Sequence, residues 1–236
     1  MQDRYVGDIG DFAKYGLLRA ISVGRNLGIA WYLHPDSGPP GDGRHTQYLK
    51  QCREWHHLDC GLFDELKQIV CRRQRSVKEV QERRILGDAV FAGKRLELEN
   101  VPVRCRKHRR RRWFKGVKES LADCDLVFAD PDNGLAPDKN FSPTQKRSAK
   151  SIPLCEAKAL ADGRTAVIYH HNTRRKGGHR KEISDWMNEL PGCTRAWYWQ
   201  PISNRTFFII NPDDRMECQL EEFTKRWKKC GKLFRR

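Results

Sequence analysis

Between positions 125 and 133 the chain reads Asp-Leu-Val-Phe-Ala-Asp-Pro-Asp-Asn. A short apolar run ending in carboxylates, a proline and an amide is the pattern of a buried strand that delivers polar groups to the carboxyl edge of an open α/β sheet. This constrains the rest of the chain, because a buried parallel strand needs helices over both of its faces. Asp130, Pro131, Asp132 and Asn133 are therefore the expected chemical centre.

The remaining segments alternate as such a sheet requires. Residues 11–23 place Phe12, Tyr15, Leu18 and Ile21 at helical spacing, with Asp11 as the cap and Gly24 as the stop. Residues 28–34 (Gly-Ile-Ala-Trp-Tyr-Leu-His) read as a compact strand running into Pro35, Asp36 and the loop Ser-Gly-Pro-Pro-Gly-Asp-Gly. A strand followed by a Gly-rich loop is a common entry point for a nucleotide-like cofactor, although no dinucleotide fingerprint or Walker lysine accompanies it. Residues 46–86 read as a charged helical insertion with Leu62, Leu66, Ile69 and Val77 inward. Then come a strand at 96–104, a helix at 109–122, and a helix at 148–161 interrupted by Pro153. A buried strand at 165–169 ends at His170, His171 and Asn172, and a helix covers 178–190. Strands at 196–200 and 206–210 are close enough for a hairpin, and an amphipathic helix closes the chain at 215–233. The pattern predicts one α/β domain over residues 1–236, with a mostly parallel sheet, helices on both faces, an antiparallel C-terminal hairpin and a helical insertion near 46–86.

Charge points to the partner. Lys plus Arg number 46 against 30 Asp plus Glu, a formal charge of +16 and a pI near 9.7. Such an excess favours a polyanion, and nucleic acid is the natural one. The basic residues concentrate at 104–118, 173–181 and 225–236, making Arg109, Arg110, Arg111, Arg112 and Lys115, with Arg174, Arg175 and Lys176, the expected contacts. Trp113, Phe114, Trp227 and Phe234 stand among them as stacking surfaces for bases. The nine cysteines form no Cys-x-x-Cys pair, so reduced thiols and a cytoplasmic location are expected. On a single helix Cys52, His56 and Cys60 share a face, with His57 adjacent, within reach of one zinc ion; a half-buried helical stripe is the simpler reading. No basic segment followed by an apolar core opens the chain, and no apolar run approaches the ~20 residues that span a bilayer, so no membrane association is expected.

Three segments carry a family resemblance: residues 7–18 (Gly-Asp-Ile-Gly-Asp-Phe-Ala-Lys-Tyr-Gly-Leu-Leu), residues 30–36 (Ala-Trp-Tyr-Leu-His-Pro-Asp) and residues 126–133 (Leu-Val-Phe-Ala-Asp-Pro-Asp-Asn). In this order they resemble the adenine-N6 methyltransferases of the J-type ribosomal RNA family, Rossmann-like enzymes that use S-adenosylmethionine. A group of bacterial proteins is similar in sharing the Gly-Asp-x-Gly-Asp-Phe-x-Lys-Tyr-Gly and Asp-Pro-Asp-Asn-Gly pieces. The resemblance implies a methyltransferase-type sheet, with the cofactor beside Asp8, Gly10, Asp11 and Lys14 and with Asp36 and Gly38 in its loop. It implies that Asp130 and Pro131 begin an Asp-Pro-Pro-aromatic motif that holds the exocyclic amine of a flipped adenine. Here Asp132 replaces the second proline and Asn133 the aromatic ring, which leaves Tyr169, His170 and His171 as the stacking surfaces of the next strand end.

The same departure sustains other readings. Asp36, Asp130 and Asp132 all fall at expected strand ends, with His170 and His171 beside them, and converging carboxylates bind Mg²⁺ or Mn²⁺ in nucleases and phosphoesterases. The histidines then serve as ligands or general acids. Asp-Pro-Asp-Asn-Gly is also a good turn in its own right, and an inert nucleic-acid-binding protein on the same scaffold is the third reading.

Overall fold

Five- to seven-residue runs of Val, Ile, Ala and aromatics form the central strands, and amphipathic stretches between them form the covering helices. The computed structural model describes residues 1–34 and 43–236. It begins with α1 (Ile9–Ile21), β1 (Leu27–Trp31), α2 (Cys52–Trp55), α3 (Cys60–Cys71), α4 (Val77–Glu82), β2 (Val90–Ala92) and α5 (Val103–Ser120). It continues with β3 (Leu126–Asp130), β4 (Gly134–Ala136), β5 (Ser151–Pro153), α6 (Leu154–Leu160), β6 (Thr165–His171) and α7 (Gly178–Glu189). The last elements are β7 (Cys193–Trp199), β8 (Arg205–Ile210), α8 (Asp214–Arg226) and β9 (Gly231–Arg235).

Seven strands form one sheet in the order β2-β1-β3-β6-β8-β7-β9, and β4 and β5 form a small parallel pair. β2, β1, β3 and β6 are parallel neighbours. β8 runs against both β6 and β7, and β9 runs against β7. This is the mostly parallel Rossmann-like sheet with an antiparallel C-terminal end that the residue pattern predicts. Register does the positioning: Asp130 lies opposite Trp31, and His171 opposite Arg205. The carboxyl ends of β1, β3 and β6 and the amino end of β8 therefore meet at one edge.

Strict alternation along the strands makes two cores. Ile29, Trp31, Phe128, Val167, Tyr169 and Phe207 pack on the face covered by α1, α3 and α8. Ala30, Tyr32, Val127, Ala129, Ile168 and Phe208 pack on the face covered by α5, α6 and α7. The helical insertion joins the first core, where Phe12 of α1 stacks on Tyr48 at 5.3 Å and meets Phe63 edge-on at 5.9 Å. Each such fully buried side chain contributes about 1.5–3 kcal/mol.

Several boundaries differ from the sequence reading. α1 starts earlier, because Asp8 and not Asp11 caps it, its carboxylate accepting from the Gly10 amide at 2.9 Å. Residues 96–104 form no strand; Leu96 and Leu98 are buried as the alternation implies, but no strand pairs with them. Pro102 instead caps α5, which begins at Val103. Pro153 ends β5 and caps α6. The closing helix stops at Arg226, and residues 231–235 pair with β7, covering an edge that would otherwise expose its polar backbone. The Cys52–Cys60 stretch is not one helix: α2 ends at Trp55 and a 3₁₀ turn intervenes before α3. His56 there faces Asp64 at 3.3 Å. Among the described residues no helix is long and apolar enough to cross a membrane.

α5 carries the largest correction. Its inward stripe is Arg110, Trp113 and Val117, so Arg110 is buried among the surface arginines with which the sequence groups it. Its Nε and Nη2 donate to the two oxygens of Glu156 at 2.6 and 2.7 Å. Nη1 donates to the Ser148 carbonyl at 2.8 Å and Nη2 to that of Ser151 at 2.9 Å. The Tyr32 hydroxyl donates to Glu156 as well, at 3.1 Å. Arg110 thus latches α5 to α6 and is inaccessible to a nucleic acid. Replacing Arg110 by Met leaves a buried carboxylate unpaired and is expected to destabilise the fold by about 3–5 kcal/mol. Chemical denaturation measures this, and a loss below about 1 kcal/mol would show that Arg110 is no latch.

Candidate functional site

At the meeting edge of the strands lies a polar pocket of about 140 Å³, lined among others by Asp8, Asp11, Lys14, Asp130, Asp132 and Arg205. It forms because α1 starts over the end of β3, bringing the Gly-Asp-x-Gly-Asp-Phe-x-Lys segment against the Asp-Pro-Asp segment. The Lys14 ammonium donates to Asp11 Oδ1 at 2.9 Å and to Asp130 Oδ2 at 2.8 Å, joining residues 116 apart in sequence. It also lies 5.5 Å from the Tyr169 ring centre. Burial opposes the Lys14 charge, yet Asp11 and Asp130 more than offset it, so the ammonium is held above its ordinary range. Burial raises the Asp11 carboxyl, with Lys14 working against the rise.

Asp132 is held from another direction. The α-amino group of Met1 sits 2.6 Å from its Oδ1 and donates to the carbonyls of Tyr32 at 2.9 Å and Asp130 at 3.1 Å. Gln2 Nε2 donates to Asp132 Oδ2 at 2.6 Å, and Lys150 stands 4.0 Å away. Burial pushes the Asp132 carboxyl up, but the Met1 ammonium, Gln2 and Lys150 outweigh it and keep it below the usual carboxylate range.

Arg205 closes the opposite wall. Its guanidinium lies over Gly10, where a Cβ would come within 0.7 Å of Nη1, so any larger residue at this position of α1 would displace the guanidinium. Nε donates to Ser203 at 3.0 Å, and Nη2 stands 3.7 Å from Asp8 Oδ1. Sequence reasoning missed Arg205, Ser203 and His45. The first two fall in a hairpin link without motif character, and only the strand register sets Arg205 beside His171. His45 enters through its backbone amide, which donates to Asp8 Oδ2 at 3.2 Å.

The expected site residues separate into groups. Asp8, Asp11, Lys14, Asp130, Asp132, Tyr169 and His171 line the pocket. Pro131 is buried in the turn, while Asn133 is exposed and outside the pocket lining, its amide donating to the Lys150 carbonyl at 2.8 Å. His170 points to the other face. Its Nδ1 accepts from the Leu135 amide at 3.0 Å, which leaves Nε2 to donate to Glu182 at 3.2 Å. Both ring nitrogens serve the fold, correcting the expectation of a reactive His-His pair. Gly134 makes this possible: it sits at φ +85°, and a Cβ there would come within 2.5 Å of His170. Asp36 and Gly38 lie outside the described residues. Arg109, Arg111, Arg112 and Lys115 on α5, and Arg174, Arg175 and Lys176 after β6, are all exposed.

Comparison with protein-family models and with curated proteins returns no match.

These charge networks set how stability responds to pH. Burial raises the Glu182 carboxyl, but donors from His170 and Thr173 outweigh it and hold it at about 2. Its side chain is only 2% exposed, so solvent screens these bonds little. A free Glu titrates near 4.3, so this stabilisation, on the order of 3 kcal/mol, is complete above that pH and is lost as pH falls towards the folded value. Glu182→Gln should flatten acid unfolding in that window, and an unchanged acid profile would contradict the assignment. Lys14→Met leaves Asp11 and Asp130 as neighbouring buried carboxylates and should destabilise by about 3–5 kcal/mol at pH 7. The deficit relative to wild type should shrink as pH falls from 7, because protonation of Asp11, whose carboxyl burial already raises, relieves the repulsion. A pH-independent deficit would argue against the triad.

Proposed function

We propose that the protein is an S-adenosylmethionine-dependent methyltransferase acting on a nucleic-acid base, adenine N6 being the favoured acceptor. The observation that carries this reading is the Lys14 bridge from Asp11 to Asp130, because it joins in one buried site two of the three segments on which the family resemblance rests. The parallel sheet with its reversed C-terminal strands and the exposed arginines of α5 support it further.

The donor set fits the amino-acid end of the cofactor. Asp8 offers a carboxylate to its ammonium, and Arg205 offers a guanidinium to its carboxylate, across a pocket of about 140 Å³. That volume is below the roughly 300–1,000 Å³ of ordinary ligand sites and matches this end alone. When bound, the cofactor supplies an electrophilic methyl group. Asp130 accepts from an N–H of the incoming exocyclic amine and orients its lone pair. Lys14 holds the Asp130 carboxylate in place for that task through its hydrogen bond, and Asp132, tied to Met1 and Gln2, fixes the turn that presents it. His171 and Tyr169 line the same pocket, which the base would enter.

Metal-dependent phosphodiester cleavage has less support. Lys14 already occupies one oxygen of Asp130, and Asp36, the third carboxylate of that reading, lies outside the described residues.

Calorimetric titration and a thermal shift with S-adenosylmethionine test the proposal. A ligand at 100 times its Kd should stabilise by about 2.7 kcal/mol. Asp130→Asn should lower methyl transfer to oligonucleotides by about 10²-fold or more while cofactor binding persists. No shift at millimolar cofactor would sink the reading, and wild-type transfer by the variant would remove Asp130 from it.

A further inference from the structure

A second cleft, of about 560 Å³, lies where β2 faces α5. β2 is the outermost strand of the sheet, so this cleft opens beyond the sheet edge. Its floor is apolar, made by Phe91, Trp113, Gly116 and Val117, and its rim carries Lys94, Arg95, Arg109, Arg112 and Lys115 against a single carboxylate, Glu119. The cleft is preformed: Trp113 Nε1 donates to the Lys94 carbonyl at 2.6 Å, holding α5 against the segment after β2.

The rim charges are largely uncommitted. Arg95 stands 3.5 Å from Asp3 and Lys115 3.5 Å from Glu119, both exposed pairs of little strength. Among the described residues no carboxylate pairs with Lys94, Arg109 or Arg112. In doubly wound sheets a carboxylate beyond the second strand suits a ribose diol, whereas a cation there accommodates phosphate. Here Lys94 and Arg95 follow β2 after Gly93. An apolar floor under a cationic rim is complementary to a flat base with phosphates on either side.

We infer that this cleft docks one nucleotide unit of a single nucleic-acid strand, its base on the floor and its flanking phosphates on Lys94, Arg109 and Arg112. The inference rests on the nucleic-acid half of the proposed function and not on methyl transfer. The cleft connects to the polar pocket through one side chain: Trp113 packs on Tyr32 at 4.8 Å, and the Tyr32 carbonyl holds the Met1 amine beside Asp132.

Gly116 supplies a test that leaves charge untouched. A Cβ at this helical position meets nothing within 4 Å, so Gly116→Phe fills the cleft without disturbing the fold, and thermal melting should match or exceed wild type. Binding of a fluorescein-labelled single-stranded RNA is followed by anisotropy against salt. Gly116→Phe should raise Kd about ten-fold or more with an unchanged salt slope, while Gly116→Ala stays within about two-fold. Arg109→Glu with Arg112→Glu should weaken binding and flatten the log-log slope by roughly 0.7 for each phosphate no longer neutralised. Wild-type affinity in Gly116→Phe would assign binding to a diffuse basic face and overturn the cleft. Displacement of the strand by a free nucleoside monophosphate at equal nucleotide concentration would overturn strand docking in favour of a small ligand. Titration of the wild type with S-adenosylmethionine reads the methyl-transfer proposal separately, since its failure leaves strand binding by the cleft standing.

Discussion

The buried Lys14 ammonium is the constraint on which the edge of this sheet depends. An ammonium taken out of water costs several kcal/mol unless opposite charges replace its hydration. Asp11 on its own helix and Asp130 on β3 do so together. Asp11 shares α1 with Lys14, so the bond to Asp130 is what ties the helix to β3, and α1 has to sit where that bond is made. That requirement sets the height of α1 over β3, puts Asp8 at the helix start, and leaves Gly10 under the Arg205 guanidinium.

Residues of one type divide their labour. α5 carries a run of arginines, yet the helix turns Arg110 inward and its neighbours outward. One arginine then joins α5 to Glu156 of α6, and the others form a cationic surface. Two adjacent histidines behave likewise. Strand alternation sends His170 to the α7 face, where Glu182 and the Leu135 amide take its nitrogens, and His171 to the pocket. Period 3.6 in the helix and period 2 in the strand decide which side chain faces which way.

Much of the architecture is legible from pattern. The apolar runs at β1, β3 and β6, the C-terminal hairpin and the helical insertion are all visible as periodicity, because burial on both faces of a sheet leaves no freedom in composition. The misplaced elements share a cause. Residues 96–104 alternate as a strand would, but alternation reports burial, and pairing needs a neighbour the sheet does not offer there. Residues 231–235 read as the end of a helix because the partner that makes them a strand, β7, lies far away in sequence. Of the site, the acidic motif and the Gly-Asp segments stand out as local spellings; Arg205 does not, because only cross-strand register brings it near.

The sequence by itself determined the class of fold, the strand that ends in Asp-Pro-Asp, and a cationic surface suited to a polyanion. These are properties of composition and of short-range period, which the chain carries whatever its final shape. Tertiary structure alone decided which charges are spent inside. It joined Lys14 to Asp130 and Arg110 to Glu156, withdrew His170 from the edge, and opened the cleft between β2 and α5. The physical reason is that a buried charge is tolerated only beside its partner, and partners distant in sequence become neighbours only when the sheet is assembled.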